Sequence, residues 1–289
     1  MKWGASVTIV FAMTDLAPQI TVLMGVYNTP TQYLRKAIDS ILNQSFSNFE
    51  FIIVDDGSGL HTKQELKAYQ DLDLRITLLS LEVNGGLTKA LNRGLSLARG
   101  KYVARQDSDD ISLPCRLYAA MQFLESNSEL AAAGSFVQTI SSHGEFSNIS
   151  IIEPNLQDIF KKNVLVHGSM VFRRDCINLV GGYNESMRYS QDYELYLKMI
   201  RRFNMKIGVT PIVLYLLRRH NESISNRKVF RQLYYSALAK TLTLSGKGRL
   251  RQQIILTETL ILDYFFTHRM LIRPLCRKVL QVVGRRSDY

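Results

Sequence analysis

From residue 20 to residue 58 the chain reads ITVLMGVYNTPTQYLRKAIDSILNQSFSNFEFIIVDDGS. Residues 20–27 and 49–54 are almost continuously apolar and have the length of buried strands. The apolar residues between these runs recur at helical spacing: Leu34, Ile38, Ile41 and Leu42. A strand, a helix and a second strand in this order predict a βαβ unit with a right-handed crossover.

The alternation of strands and helices continues beyond this unit. Residues 75–81 are typical of a third strand, and the pair Gly85-Gly86 precedes an amphipathic helix over residues 87–98. Residues 101–104 then form a fourth strand that leads to Asp107. The pattern predicts an α/β fold with a doubly wound, mainly parallel sheet. Further elements are expected at residues 117–125 (helix), 130–139, 170–173 and 212–217 (strands), 191–203 (helix) and, as helix, beyond residue 227.

Three polar segments each follow a predicted strand: Tyr27-Asn28, Asp55-Asp56 and Asp107-Ser108-Asp109-Asp110. In parallel sheets the carboxyl ends of the strands meet at one edge, where ligands bind, so these segments are expected to lie together. Carboxylate oxygens select Mg²⁺ or Mn²⁺ over softer metals. The pattern Asp-x-Asp alone favours a solvated acidic loop before the helix that starts near Pro114, because short acidic patterns are common.

The other segments that accompany the acidic cluster point to a known family. They are TVLMGVYN at residues 21–28, VDDGS at 54–58, NGGL at 84–87, NRG at 92–94, ARGKYV at 98–103, DSDD at 107–110, HGS at 167–169, GGY at 181–183, QDYEL at 191–195 and the pair Arg219-His220. In this order they resemble the signature of family 2 glycosyltransferases, inverting enzymes with the GT-A fold, of the kind found in bacterial surface polysaccharide biosynthesis.

The resemblance implies a role for each matching position. The residues expected to bind the nucleotide are Tyr27, Asp56, Asn84, Asp107 and Arg219. Among them Asp56 would accept a hydrogen bond from uracil, because a carboxylate suits an imide N–H. The ligands expected for a divalent metal, Mn²⁺ or Mg²⁺, are Asp109, Asp107 and His220, the last also being consistent with a loop histidine of no catalytic role. Asp55 and Asp110 are expected to support the structure.

Asp192 matches the position of the catalytic base in that family. The implied reaction is a single in-line displacement with inversion, in which Asp192 takes the proton of the acceptor hydroxyl and the metal neutralises the departing nucleoside diphosphate. The alternative is that Asp192 caps the helix that follows, since Asp is favoured there. Gln191 stands where the family commonly has an acidic residue.

Charge and composition divide the chain. Residues 201–289 contain 18 Lys and Arg against four Asp and Glu, whereas the preceding 200 residues are slightly acidic. The expected regions are an N-terminal extension (1–18), a GT-A catalytic domain (19–226, with a donor half at 19–112 and an acceptor half at 113–226) and a basic helical C-terminal region (227–289). Residues 250–289 interleave Arg and Lys with apolar residues, which fits a helix on an anionic membrane surface, packing on the protein or a homodimer seam.

Several classes of protein are disfavoured. The three widely spaced cysteines suit neither a disulfide framework nor a zinc site. No apolar run reaches the length of a membrane span, and no nucleic-acid-binding module accompanies the basic charge. A cytoplasmic enzyme, peripheral at the inner face of the cell membrane, is expected to use a UDP-sugar donor and a glycan acceptor attached to a lipid. The competing functions are an inactive nucleotide-sugar-binding assembly protein and a glycoside hydrolase with Asp109 and Asp192 as its carboxylates.

Overall fold

The computed structural model describes residues 17–142, 150–219 and 229–244. Its strands are β1 (Ile20–Val26), β2 (Phe49–Asp55), β3 (Ile76–Ser80), β4 (Tyr102–Asp107), β5 (Ile111–Ser112), β6 (Leu130–Ile140), β7 (Ile151–Ile152), β8 (Val171–Arg173) and β9 (Lys206–Arg218). Its α-helices are α1 (Thr31–Leu42), α2 (Leu60–Leu72), α3 (Leu87–Leu95), α4 (Arg116–Ser126), α5 (Arg174–Leu179), α6 (Gln191–Phe203) and α7 (Val229–Thr243).

All the strands belong to one mixed sheet with the order β3-β2-β1-β4-β8-β6-β9-β5, and β7 pairs with β6. The pairs among β1, β2, β3 and β4 are parallel. Strand β8 runs antiparallel to both β4 and β6, β9 is parallel to β6, and β5 is antiparallel to β9. The predicted α/β architecture, a mixed sheet flanked by helices, is confirmed. The strand order reverses at β1, which has β2 on one side and β4 on the other, and such a reversal opens a crevice for ligands.

The sheet is buried on both faces, which explains its continuously apolar strands. Leu23 and Ile52 point into a core that includes residues of α3, α5, α6 and α7. Their neighbours Val22 and Phe51 point to the opposite core, with residues of α1, α2 and α4. Alternate residues of one strand therefore hold helices on opposite sides of the sheet.

Helix α2 and strand β9 differ from the predicted elements. Helix α2 was not predicted, because only Thr62 and Leu66 of its residues are buried and the apolar repeat is weak. Strand β9 begins at Lys206, before the predicted start, and runs past Pro211 at an irregularity in its pairing with β6. Such a bulge tolerates a proline, which cannot donate a ladder hydrogen bond.

The helical prediction for the C-terminal region applies to α7, which packs along α6. The N-terminal extension up to residue 16 and the segment 245–289 lie outside the described residues. Within the described ranges, the structure contains no helix of the length and apolar character required to cross a bilayer.

Candidate active site

The carboxyl edge of the parallel strands brings the predicted nucleotide residues together. The strand register pairs Val26 with Asp55 and Gly25 with Asp107, so the chain leaves β1, β2 and β4 at the same level. Tyr27, directly after β1, is 53% exposed and presents its ring at this edge. A half-exposed aromatic ring beside polar groups is suited to stacking on a planar ligand.

Asp56 fixes the loop that enters α3. Its two carboxylate oxygens accept hydrogen bonds from the backbone amides of Gly85 and Gly86, each at 2.8 Å, and the residue is 2% exposed. Each oxygen keeps a second lone pair, but both are already engaged in supporting the loop that carries Asn84. The neighbouring Asp55 is fully buried and accepts a hydrogen bond from the Ser58 amide at 2.9 Å. Both carboxylates thus shape the end of β2.

The acidic cluster after β4 contains side chains in different surroundings. The Oδ1 atom of Asp107 accepts a hydrogen bond from Arg105 at 2.7 Å, and its side chain keeps 29% of its exposure. Asp110 is buried, and its Oδ1 accepts a hydrogen bond from the backbone amide of Arg218 at 2.7 Å. Asp110 therefore anchors the loop to β9, while Asp107 and Asp109 are partly exposed.

The negative charges of the cluster repel one another. Burial, followed by the charges of Asp109 and Asp107, raises the pKa of Asp110 well above its ordinary value. Burial also raises the pKa of Asp107, where the charge of Arg105 acts in the opposite direction. A cation at this edge would relieve that repulsion.

Two buried arginines, Arg105 and Arg116, form hydrogen bonds beside the acidic cluster. Arg116 is fully buried and donates to the Gln106 side chain at 3.1 Å, to Ser112 Oγ at 2.8 Å and to the Gly168 carbonyl at 2.8 Å. Burial lowers the pKa of Arg116 to about 10. Arg105 also donates to the Leu23 carbonyl at 3.0 Å. Neither arginine was among the predicted site residues, although the polar side chains of Arg105 and Gln106 inside the buried strand β4 were a visible signal.

The residues present fit a divalent ion that is held mainly by its substrate. Within the described part of the chain, no group of three or more His, Cys, Asp or Glu side chains is arranged as a complete metal site. Mg²⁺ is commonly bound through one or two carboxylates together with substrate phosphates and water. Asp107 and Asp109 supply two partly exposed carboxylates of that kind. His220, the third predicted ligand, lies outside the described residues.

Asp192 lies in the first turn of α6. Its Oδ2 atom accepts a hydrogen bond from the side-chain amide of Asn163 at 2.7 Å. Ser190 occupies the N-cap position, but its side chain makes no capping hydrogen bond. The Asp192 carboxylate accepts hydrogen bonds from the backbone amides of Asp192 and Tyr193, so the alternative that it caps the start of α6 stays a prediction beside the catalytic one. Burial raises the pKa of Asp192, and the charge of Asp107 raises it further. The candidate base and the acidic cluster are thus close enough to sense each other's charge.

The remaining predicted residues lie around this centre. His167 Nε2 is 2.9 Å from the Tyr183 hydroxyl, and burial with the nearby charge of Arg105 lowers its pKa well below the ordinary value. His167 is therefore a neutral supporting residue. Arg219 is exposed at the end of β9, and its backbone amide donates to the Ile140 carbonyl at 2.9 Å.

Comparison with known proteins gives this site a family. Residues 21–180 match the sequence profile of Glycosyl transferase family 2. The chain belongs to this family. The O-antigen biosynthesis glycosyltransferase WbnJ of Escherichia coli is 34% identical over 214 residues, which cover 71% of this chain and 81% of WbnJ. An uncharacterized glycosyltransferase of Methanocaldococcus jannaschii is 34% identical over 189 residues, or 63% of this chain and 65% of that protein.

The fold of this family 2 glycosyltransferase also matches a solved structure. S. aureus TarS (residues 1–349), crystallised in complex with UDP-GlcNAc, has a TM-score of 0.62 and 20% sequence identity, and the match covers 88% of this chain and 77% of TarS. The predicted glycosyltransferase class and GT-A fold are confirmed. The family match ends before Asp192, Arg219 and α7, so these parts of the site depend on the geometry of this chain.

Proposed function

We propose that this glycosyltransferase moves a sugar from a UDP-sugar to a hydroxyl group of a glycan acceptor, with inversion at the anomeric carbon. The observation that carries the proposal is the position of Asp192 in the first turn of α6, where its Oδ2 atom accepts a hydrogen bond from Asn163 at 2.7 Å. Burial raises the pKa of Asp192, and the charge of Asp107 raises it further. A donor bound between these carboxylates would present its anomeric carbon to an acceptor at Asp192.

Relatives support the substrate classes. The S. aureus TarS structure was solved in complex with UDP-GlcNAc. WbnJ of E. coli is named for O-antigen biosynthesis. AmsE of Erwinia amylovora, 29% identical over 213 residues, is named for amylovoran biosynthesis. These names favour a nucleotide-sugar donor and a surface-polysaccharide acceptor for this chain.

The donor end of the proposed site is formed by the residues at the carboxyl edge of the sheet and by Arg219 at the end of β9. Tyr27 stacks on the base, and Asp56 with Asn84 forms its hydrogen-bonding edge. Asp107 and Asp109 bind the diphosphate through a divalent ion, and Arg219 reaches the phosphate oxygens. When bound, Mn²⁺ or Mg²⁺ supplies positive charge that stabilises the nucleoside diphosphate as it leaves.

The acceptor end depends on Asp192. Burial raises the pKa of Asp192 toward neutral pH, which makes its carboxylate a stronger base than that of an exposed aspartate. The hydrogen bond from Asn163 to Oδ2 fixes the orientation of the side chain. Asp192 takes the proton of the acceptor hydroxyl as the hydroxyl oxygen attacks the anomeric carbon. The bond between that carbon and the nucleoside diphosphate breaks on the opposite side.

A lipid-linked acceptor would place the reaction at a membrane surface. We infer that residues 250–289, rich in Arg and Lys interleaved with apolar residues, contact anionic headgroups at the inner face of the cell membrane. This arrangement would bring the active site to an acceptor that cannot diffuse away from the bilayer.

Ligand-induced stabilisation combined with one variant tests the function. UDP with Mn²⁺ should raise the melting temperature of the wild-type protein, because a ligand that binds only the folded state stabilises it by about 2.7 kcal/mol at 100 times its Kd. Asp192→Asn should keep that shift and lose about 100- to 10,000-fold in kcat for transfer from UDP-sugars to lipid-linked saccharides.

The control is Asp175→Asn, since Asp175 is an exposed aspartate in the first turn of α5 and should leave both measurements unchanged. Full activity of Asp192→Asn would overturn the assignment of the base. A wild-type protein that gains no stability from any nucleotide would instead favour a glycoside hydrolase, and one that binds UDP but transfers nothing would favour an assembly protein.

A further inference from the structure

A cavity of about 330 Å³ lies beside the proposed nucleotide site. It is lined by the start of α3 with the loop before it, by the segment that precedes α6 and by Tyr235 of α7. Its volume is at the lower end of the range of about 300–1,000 Å³ that is usual for small-molecule pockets. Three separate elements therefore line a partly open space that is large enough for part of a ligand.

The cavity carries two cationic side chains, Lys89 and Arg188. Both residues are exposed, and in the described part of the chain neither side chain has a hydrogen bond or an ion pair. Glu185 also lines the cavity, but its Oε1 atom accepts a hydrogen bond from the Asn92 side chain at 3.1 Å. The cavity therefore has an excess of positive charge, and its cations are available to a ligand.

Two backbone amides just before the start of α3 are already engaged. The amides of Gly85 and Gly86, which line the cavity, already donate to the Asp56 carboxylate at 2.8 Å. The cationic side chains that the cavity offers to an anion are Lys89 and Arg188. Arg and Lys donate charge-assisted hydrogen bonds to phosphate and carboxylate oxygens.

The walls of the cavity connect the two ends of the proposed site. Asn84, on one wall, belongs to the loop that Asp56 holds at the base end. On the other wall, Arg188 precedes Asp192 by four residues. The hydroxyl of Thr88 in α3 donates to the Met187 carbonyl at 2.8 Å, which ties the two walls together. A ligand group in this cavity would lie between the loop of Asn84 and the segment that leads to Asp192.

We propose that Lys89 and Arg188 bind an anionic group of the nucleotide donor in this cavity. The inference rests on the proposed function, since it takes the ligand to be a UDP-sugar. Two parts of such a donor carry the required negative charge, namely the diphosphate and the carboxylate of a uronic acid. Each has oxygens that match the two cations.

Calorimetric titration of the full chain distinguishes these sources. Uridine, UDP, UDP-glucose and UDP-glucuronate are titrated, with Mn²⁺ present, into the wild type and the variants Lys89→Gln and Arg188→Gln. If the cavity binds the diphosphate, each variant should bind UDP about tenfold more weakly and uridine equally well, the loss expected for one charge-assisted hydrogen bond. If it binds a sugar carboxylate, UDP affinity should stay constant, and a wild-type preference for UDP-glucuronate over UDP-glucose should disappear.

The matched control is Arg93→Gln, which removes an exposed cation from the same helix outside the cavity and should change no affinity. Because all three side chains are exposed, the variants should melt at the wild-type temperature. Unchanged affinities of Lys89→Gln and Arg188→Gln for every ligand, with a wild type that binds UDP, would overturn this inference alone. A wild type that binds none of the four ligands would overturn the proposed donor together with it.

Discussion

Gly168 lies so close to Tyr215 and Asp107 that any side chain at this position would collide with them. A Cβ atom there would overlap the Tyr215 hydroxyl and would come within 2.8 Å of Asp107 Oδ2. Tyr215 receives a hydrogen bond from the Asp107 amide at 3.1 Å, so neither neighbour moves without disturbing the acidic cluster. Glycine at this position is needed for space.

Gly168→Ala should therefore lose about 1–3 kcal/mol of stability, the usual cost of overpacking, and bind UDP more weakly. Urea unfolding and calorimetry would measure the two effects. Gly59→Ala is the control, because a Cβ atom at residue 59 would only touch Asn28 Oδ1 at 3.6 Å. Equal stability of the two variants would show that Tyr215 and Asp107 adjust freely.

The pH dependence of the reaction should report on Asp192. Burial raises its pKa above 3.8, so kcat should fall on acidification with a midpoint above that value as the base becomes protonated. The hydrogen bond from Asn163 lowers the pKa, so Asn163→Ala should move the midpoint to higher pH. A pH–rate profile would test this, with the exposed Asn178→Ala as control. An unchanged midpoint in Asn163→Ala would show that the hydrogen bond from Asn163 does not lower the pKa of Asp192.

At the scale of elements, α7 supports the start of α6. Ser190, the N-cap of α6, adopts the left-handed conformation with φ of 51°, which is unfavourable for a residue other than glycine. Its hydroxyl lies 3.1 Å from Ser236 Oγ and 3.2 Å from the Gln232 carbonyl, both on α7. These contacts hold the backbone two residues before Asp192.

A double-mutant cycle should detect this support. Ser190→Ala and Ser236→Ala should each destabilise the protein by about 0.5–1.5 kcal/mol, and the double variant should lose less than the sum because the two hydroxyls share one hydrogen bond. Urea unfolding gives the energies, and Ser96→Ala, which removes an exposed hydroxyl bonded only within its own helix region, is the control. Additive losses would show that the two serines act independently.

Sequence patterns identified the elements of the parallel half because burial on both faces leaves a continuous apolar signal in β1 and β2. They failed for α2, where few residues are buried, and for the full length of β9, where Pro211 interrupts the pattern. Strand order placed the acidic cluster correctly at the sheet edge. The buried contacts of Arg116 and the cavity of Lys89 join residues that are distant in the chain, and no local pattern reports such pairs.

For the whole molecule, the concentration of basic residues after residue 200 should govern its location. Vesicles that contain phosphatidylserine should sediment the full chain at low salt, and vesicles of phosphatidylcholine alone should not, because anionic headgroups attract each cation near the surface by about 1 kcal/mol. Deletion of residues 250–289 should abolish this binding. Binding that survives the deletion would contradict a membrane role for that segment.

The buried contacts of Arg116 also restrict how this enzyme can move. Arg116 belongs to the half expected to bind the acceptor, yet it donates to Gln106 and Ser112 of the half expected to bind the donor. Asp110 in turn accepts a hydrogen bond from Arg218 across the same boundary. A hinge between the halves would have to break all of these bonds inside the protein. These bonds therefore restrict relative motion of the two halves at the acidic cluster.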